Sequence, residues 1–237
     1  MKNLPRLAFF AVALLDLLGS ALANNTLVFS TKPLLMPLLA VWLFTSSRQS
    51  EHSFLRKALL GALLFSMLGD VLLMFSSPLF FLLGLGDFLL AHVLYISAFS
   101  SITSFKNGFL SQKPWWATPF VAFPVCLLIF LWKGIPEGMK VPVAAYACVI
   151  SVMALSVVNL KEKIADSAFW ALLAGAMLFL ISDSSLAVAK FGQPFDGERL
   201  VIMGTYIGGQ FLLVLGVLRV MKQDLLGWEK DLKDLKD

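Results

Sequence analysis

Asp16, Asp70, Asp87 and Asp183 all lie inside long apolar runs of the sequence. A carboxylate at the centre of a bilayer costs about 2.5–3.5 kcal/mol on insertion scales, so an acid in such a place is a candidate for chemistry. Asp70 and Asp183 stand out. Each lies about 16 residues into its run, counted from Phe54 and from Ser167, so at ~1.5 Å per residue two parallel helices would hold them at one depth. Two carboxyls sharing a low-dielectric site do not both ionise: one keeps its proton and the other carries charge. Such a pair suits acid-catalysed hydrolysis of an acid-labile bond. Counting along the chain puts Lys32, Asp87, His92, Tyr206 and Gln210 in the same layer, which predicts a polar cavity around the two acids. Lys32 is expected to open its span near the interface, so no cation is expected deep beside the acids. Ser182, Ser184 and Ser185 flank Asp183 and could bond it locally. Asp16 has no evident partner, and Asp87 is expected to meet water near the entrance.

Other chemistries lack their residues. A catalytic zinc site needs three protein ligands, and the chain holds two histidines, His52 and His92. No His-Glu-x-x-His, Gly-x-Ser-x-Gly, phosphate-loop or dinucleotide fingerprint occurs, so neither a metal nor a cofactor is called for. The pI near 9.1 comes from basic residues in loops, a pattern of membrane topology rather than of nucleic-acid binding. The rival to a hydrolase is a small transporter or lipid flippase that uses the intramembrane carboxylates as proton carriers.

The elements that would position these residues are membrane helices. Of the 237 residues, 59 % are hydrophobic and only 14 % charged, far from the roughly 25 % charged of soluble domains. Cys126 and Cys148 sit in apolar runs and predict no disulfide framework. Eight runs are long enough to span a bilayer: 4–22, 32–47, 54–75, 79–101, 115–132, 141–160, 167–189 and 199–221. In the second, Pro33 would fall in the first turn and Pro37 would kink the helix. The first run could be a signal peptide cut after Ala21-Leu22-Ala23, but Asp16 within it favours retention. The fold class is therefore an all-α polytopic membrane helix bundle, with residues 1–223 as one eight-helix domain and 224–237 as a charged amphipathic tail. With eight spans, five of the 19 Lys and Arg residues (Lys32, Lys133, Lys140, Lys190, Arg199) fall on one side and the rest on the side of both termini. The positive-inside rule then puts both termini in the cytoplasm. Trp115, Trp116, Trp132 and Trp170 fall near span ends, as interfacial anchors do. Leu63-Leu64-Phe65 before Gly69-Asp70 is echoed by Met177-Leu178-Phe179 before Ser182-Asp183, an offset of four spans that a parallel duplication would give.

Five segments in this order resemble the YhhN family: Lys32-Pro33-Leu34-Leu35, Gly69-Asp70-Val71-Leu72-Leu73, Ala91-His92-Val93-Leu94-Tyr95, Ser182-Asp183, and Thr205-Tyr206 with Gln210. The resemblance covers the second span through the eighth. It implies an eight-span membrane enzyme, here of a bacterial inner membrane, that cleaves the vinyl ether bond of lysoplasmalogens. The products would be a fatty aldehyde and glycerophosphoethanolamine or glycerophosphocholine. It also implies that the family's two important aspartates are Asp70 and Asp183. Some bacterial members lack the second acid, and this chain keeps both. On that reading one aspartate is the general acid and the other stabilises the cation. Lys32 would hold the phosphate, and His92, Tyr95, Ser182, Tyr206 and Gln210 would bind the lysophospholipid or water. The partners implied are this substrate and the surrounding lipid.

Overall fold

The computed structural model describes residues 4–47 and 52–234, with 224–234 described by backbone only. Helices α1 (Leu4–Ala21), α2 (Asn25–Ser46), α3 (Ser53–Leu73) and α4 (Pro78–Ser100) form the first half. A single turn, α5 (Phe109–Gln112), and a 3₁₀ turn (Pro114–Ala117) lead to α6 (Thr118–Leu131), α7 (Glu137–Val158), α8 (Asp166–Phe191) and α9 (Glu198–Asp234). No strand occurs among the described residues. Seven of these segments are long and apolar enough to cross a membrane. With 21 residues, α3 has the length too, but it carries Arg56 and Lys57 near its start and Asp70 near its end. We read it as the eighth span. The surface agrees with a lipid solvent, since Ile129, Phe130 and Val141 are 72 %, 74 % and 78 % exposed. The helical backbone of α9 enters the region expected as an amphipathic tail; the side chains of 224–234 and residues 235–237 lie outside the described residues.

One boundary differs in a way that matters. The second helix begins at Asn25 rather than Lys32, because the Asn24 side chain accepts the Leu27 N–H at 3.1 Å and caps it. Lys32 is thereby carried two turns into the helix instead of standing at its mouth. Pro33 also lies inside α2, not in its first turn, and Pro37 follows one turn later.

The helices close into a ring. α1 packs on α2, α2 on α3, α3 on α4, α4 across the chain on α7, α7 on α8, α8 on α9, and α9 back on α1 and α2. α6 stands outside, against α7 and α8. The halves correspond: α3 pairs with α4 as α8 pairs with α9, and α4 crosses to α7 as α9 crosses to α2. The four-span offset read from the sequence is thus matched by the packing. At the end of α7 the buried Asn159 fastens the long connection, accepting from Leu110 N and donating to Ser104 O, both at 3.1 Å.

Helices in lipid are drawn together by close backbone approach at small residues. Gly175 of α8 meets Gly209 of α9, and a Cβ on Gly175 would lie 2.9 Å from Leu213 N and 3.0 Å from Gly209 O. Both are backbone atoms and cannot turn aside. Gly175→Ala is therefore expected to lower the thermal unfolding midpoint, at a cost on the order of 1–3 kcal/mol. A melting curve in detergent identical to that of the parent would disprove the close contact.

Candidate functional site

Among the described residues three polar clusters sit within the bundle, each assembled from distant parts of the chain. In the first, Asp70 of α3 is 2 % exposed. Its Oδ2 accepts from the Tyr206 hydroxyl of α9 at 2.6 Å, and its Oδ1 lies 3.4 Å from Lys32 Nζ of α2. The expectation that no cation reaches the acids is overturned: Lys32 lies inside α2 and pairs with Asp70 instead of opening the span at the interface. The capped start of α2 brings the ammonium to Asp70, where each charge offsets the other's desolvation.

In the second cluster the buried Tyr95 hydroxyl of α4 donates to Gln210 Oε1 of α9 at 2.5 Å, and Gln210 Nε2 donates to Ser66 Oγ of α3 at 3.1 Å. All three groups are enclosed, and Tyr95 and Gln210 tie α3, α4 and α9 together. Ser182 does likewise, donating to the Ile202 carbonyl at 3.0 Å across α8 and α9.

The third cluster holds Asp183. Its Oδ2 accepts from the Tyr146 hydroxyl of α7, and no cation pairs with it among the described residues. Its serine neighbours do not serve it. Ser184 and Ser185 donate back to the carbonyls of Leu180 and Ile181 on their own helix. Asp183 is only part-buried. It borders a cleft of about 40 Å³ between α6, α7 and α8, walled by Phe123, Leu127 and Ile150. On its other side lies a cleft of about 50 Å³, walled by Leu73, Phe81 and Leu85.

A row of rings joins the first and third clusters. Tyr206 packs on Phe179 with centroids 5.5 Å apart, Phe179 on His92 at 4.7 Å, and His92 on Tyr146 at 5.4 Å. The two carboxyls stand at its ends, Asp70 on Tyr206 and Asp183 on Tyr146. They do not face one common hollow, as expected from the sequence: Asp70 is sealed with both oxygens committed, whereas Asp183 opens to two apolar clefts.

His92, in the middle of the row, is 0 % exposed. Its Nδ1 is 2.6 Å from the Phe88 carbonyl. A carbonyl only accepts, so Nδ1 carries the hydrogen and Nε2 presents a lone pair. That Nε2 is buried without a partner. Asp16, left without a partner by sequence reasoning, accepts from Thr31 at 2.9 Å through Oδ1, beside Lys32. Asp87 is part-buried and joins none of these clusters.

Tyr146, Ser66, Phe88 and Phe179 were not foreseen. One signal for Tyr146 was available: it stands 37 residues before Asp183, as Lys32 stands 38 before Asp70. Each acid is met by the second helix of its own half.

The profile described as the YhhN family matches residues 27–217. The chain is 35 % identical over 159 residues to the human protein named lysoplasmalogenase TMEM86B, covering 67 % of this chain and 62 % of the relative. It is 32 % identical over 184 residues to the pig protein of the same name, covering 77 % and 72 %. It is 27 % identical over 191 residues to the bovine lysoplasmalogenase TMEM86A, covering 77 % and 75 %. The chain thus spans a little under two thirds of the human relative's length, and no solved structure matches it.

Proposed function

This chain belongs to the YhhN family, and from that premise we propose that it is a membrane lysoplasmalogenase, with Asp183 as its general acid. The observation that carries the reading is one acid, paired with no cation among the described residues and bordering two apolar clefts, at the end of a row of rings. Tyr146 occupies Oδ2 and leaves Oδ1 for the proton.

In this mechanism Asp183 protonates the outer carbon of the vinyl ether, and the double bond becomes an oxocarbenium ion. The new carboxylate and the faces of the neighbouring rings stabilise that cation. His92 Nε2 accepts a hydrogen bond from the attacking water and takes its proton as the carbon–oxygen bond forms. The resulting hemiacetal collapses to aldehyde and alcohol, and the proton on His92 returns to Asp183. One water is consumed and no net proton. Asp70 is a positioning residue: charged and held by Lys32, it fixes Tyr206 and through it Phe179 and His92. We place the enzyme in a bacterial inner membrane with both termini in the cytoplasm, a reading supported by the distribution of Lys and Arg.

The test is incubation of the detergent-purified chain with a lysoplasmalogen and an acyl lysophospholipid side by side. Mass spectrometry should find aldehyde and glycerophospho head group from the first and an untouched second. Aldehyde absent here, with lipid or proton flux across sealed vesicles instead, would establish the transporter.

His92 has its own expected result. His92→Phe keeps an aromatic ring between Phe179 and Tyr146 but removes Nε2. It should lower kcat by about a hundredfold and leave KM near its parent value. Parent-like turnover in that variant would remove His92 from the water step.

A further inference from the structure

Above Asp183 lies a polar recess that the mechanism does not use. Its volume is about 270 Å³, and it is bordered by Ser76, Ser77 and Lys190. It shares Leu73 and Phe81 with the cleft that reaches Asp183, so the two are neighbouring compartments. Lys190 Nζ is held 4.8 Å over the Phe81 ring. By contrast with Lys32, Lys113 and Lys140, each of which faces an acid, Lys190 has no carboxylate partner among the described residues. The hydroxyls of Ser76 and Ser77 likewise make no hydrogen bond there. A cation and two free hydroxyls beside an apolar cleft are what a phosphate on a lipid requires.

We propose that this recess binds the phosphodiester of the substrate, with Lys190 as its charged contact; the inference rests on the lysoplasmalogenase reading. The spacing supports it. Lys190 and Asp183 are seven residues apart on one face of α8, two turns or about 10 Å, and the lysine side chain leans back toward the helix start. Seven bonds separate phosphorus from the carbon to be protonated, about 8–9 Å when extended at ordinary bond lengths. A lysolipid with its phosphate at Lys190 therefore brings its vinyl ether to Asp183, and its alkyl chain continues into the cleft against α6.

The experiment compares alkenyl-glycerophosphocholine with alkenylglycerol, which lacks the phosphate, in the parent, Lys190→Gln and Lys190→Arg. The parent should prefer the phosphorylated substrate in kcat/KM. Lys190→Gln should cut that preference about tenfold, and Lys190→Arg should keep it. An unchanged preference in Lys190→Gln overturns the proposal. Excess inorganic phosphate should raise the parent's KM for the phosphorylated substrate and leave that of Lys190→Gln unchanged, since both anions compete for one ammonium. A phosphate effect on alkenylglycerol turnover that Lys190→Gln abolishes, with no preference for the phosphorylated substrate, would assign the recess to free phosphate and overturn the head-group role. Should the parent cleave neither substrate, the proposed function fails while the recess is still tested by melting curves with the non-cleavable 1-alkyl-glycerophosphocholine. Stabilisation of the parent but not of Lys190→Gln would uphold the recess, and equal stabilisation of both would refute it.

Discussion

Asp183→Asn is expected to lower kcat for vinyl ether cleavage by about 10²–10⁴, the range a positioned general acid supplies. The substitution is nearly isosteric. The asparagine carbonyl still accepts from Tyr146, and no buried counter-charge is orphaned, since none pairs with Asp183 among the described residues. The variant should therefore melt close to the parent while releasing almost no aldehyde. Asp183→Glu keeps the proton but displaces it, and should fall between the two. Aldehyde release by Asp183→Asn within about threefold of the parent would take the proton-donating role away from this residue.

The second large effect is on stability. Asp70→Leu leaves the Lys32 ammonium inside the bundle with its ion-pair partner gone, and removing one member of a buried pair costs about 3–5 kcal/mol. Detergent-solubilised Asp70→Leu should melt far below the parent or fail to accumulate. The pair as a whole contributes much less, because apolar replacement of both members of a buried pair is often neutral or stabilising. Lys32→Met combined with Asp70→Leu should thus regain most of the lost stability. That double variant also separates the two duties of Asp70. If it melts like the parent yet turns over slowly, the carboxylate is needed for chemistry as well as for packing. If the double variant is no more stable than Asp70→Leu alone, the ion pair is not what holds this region together.

The helices were legible in the sequence because twenty apolar residues in a row have few alternatives in lipid. The intramembrane acids were legible for the same reason: an expensive group stands out against a cheap background. Legibility failed where polarity is local. Asn24, Asn25, Thr26, Ser30 and Thr31 dilute the start of α2, so hydropathy placed that start seven residues late and put Lys32 at the surface. The asparagine cap was the available signal. Which partners Tyr95 and Gln210 would take was not readable, and for Tyr146 only the spacing to Asp183 gave a hint. Those partners depend on which helix neighbours which, and α4 meeting α7 is a fact of packing rather than of pattern. For that reason depth alone gathered Asp70 and Asp183 into one expected hollow, although a row of rings stands between them.

The distances along the chain between bonded groups constrain how the protein is made. Lys32 and Asp70 pair within the first three helices, so the most costly charges can neutralise each other early in synthesis. Tyr206 reaches back 136 residues to Asp70, and Gln210 reaches back 115 to Tyr95 and 144 to Ser66. Until the ribosome has delivered the final span to the insertion machinery, those earlier groups wait in the bilayer with donors and acceptors open. A nascent chain stalled before residue 206 would be a substrate for membrane quality control, and a truncated first half should not persist without its second.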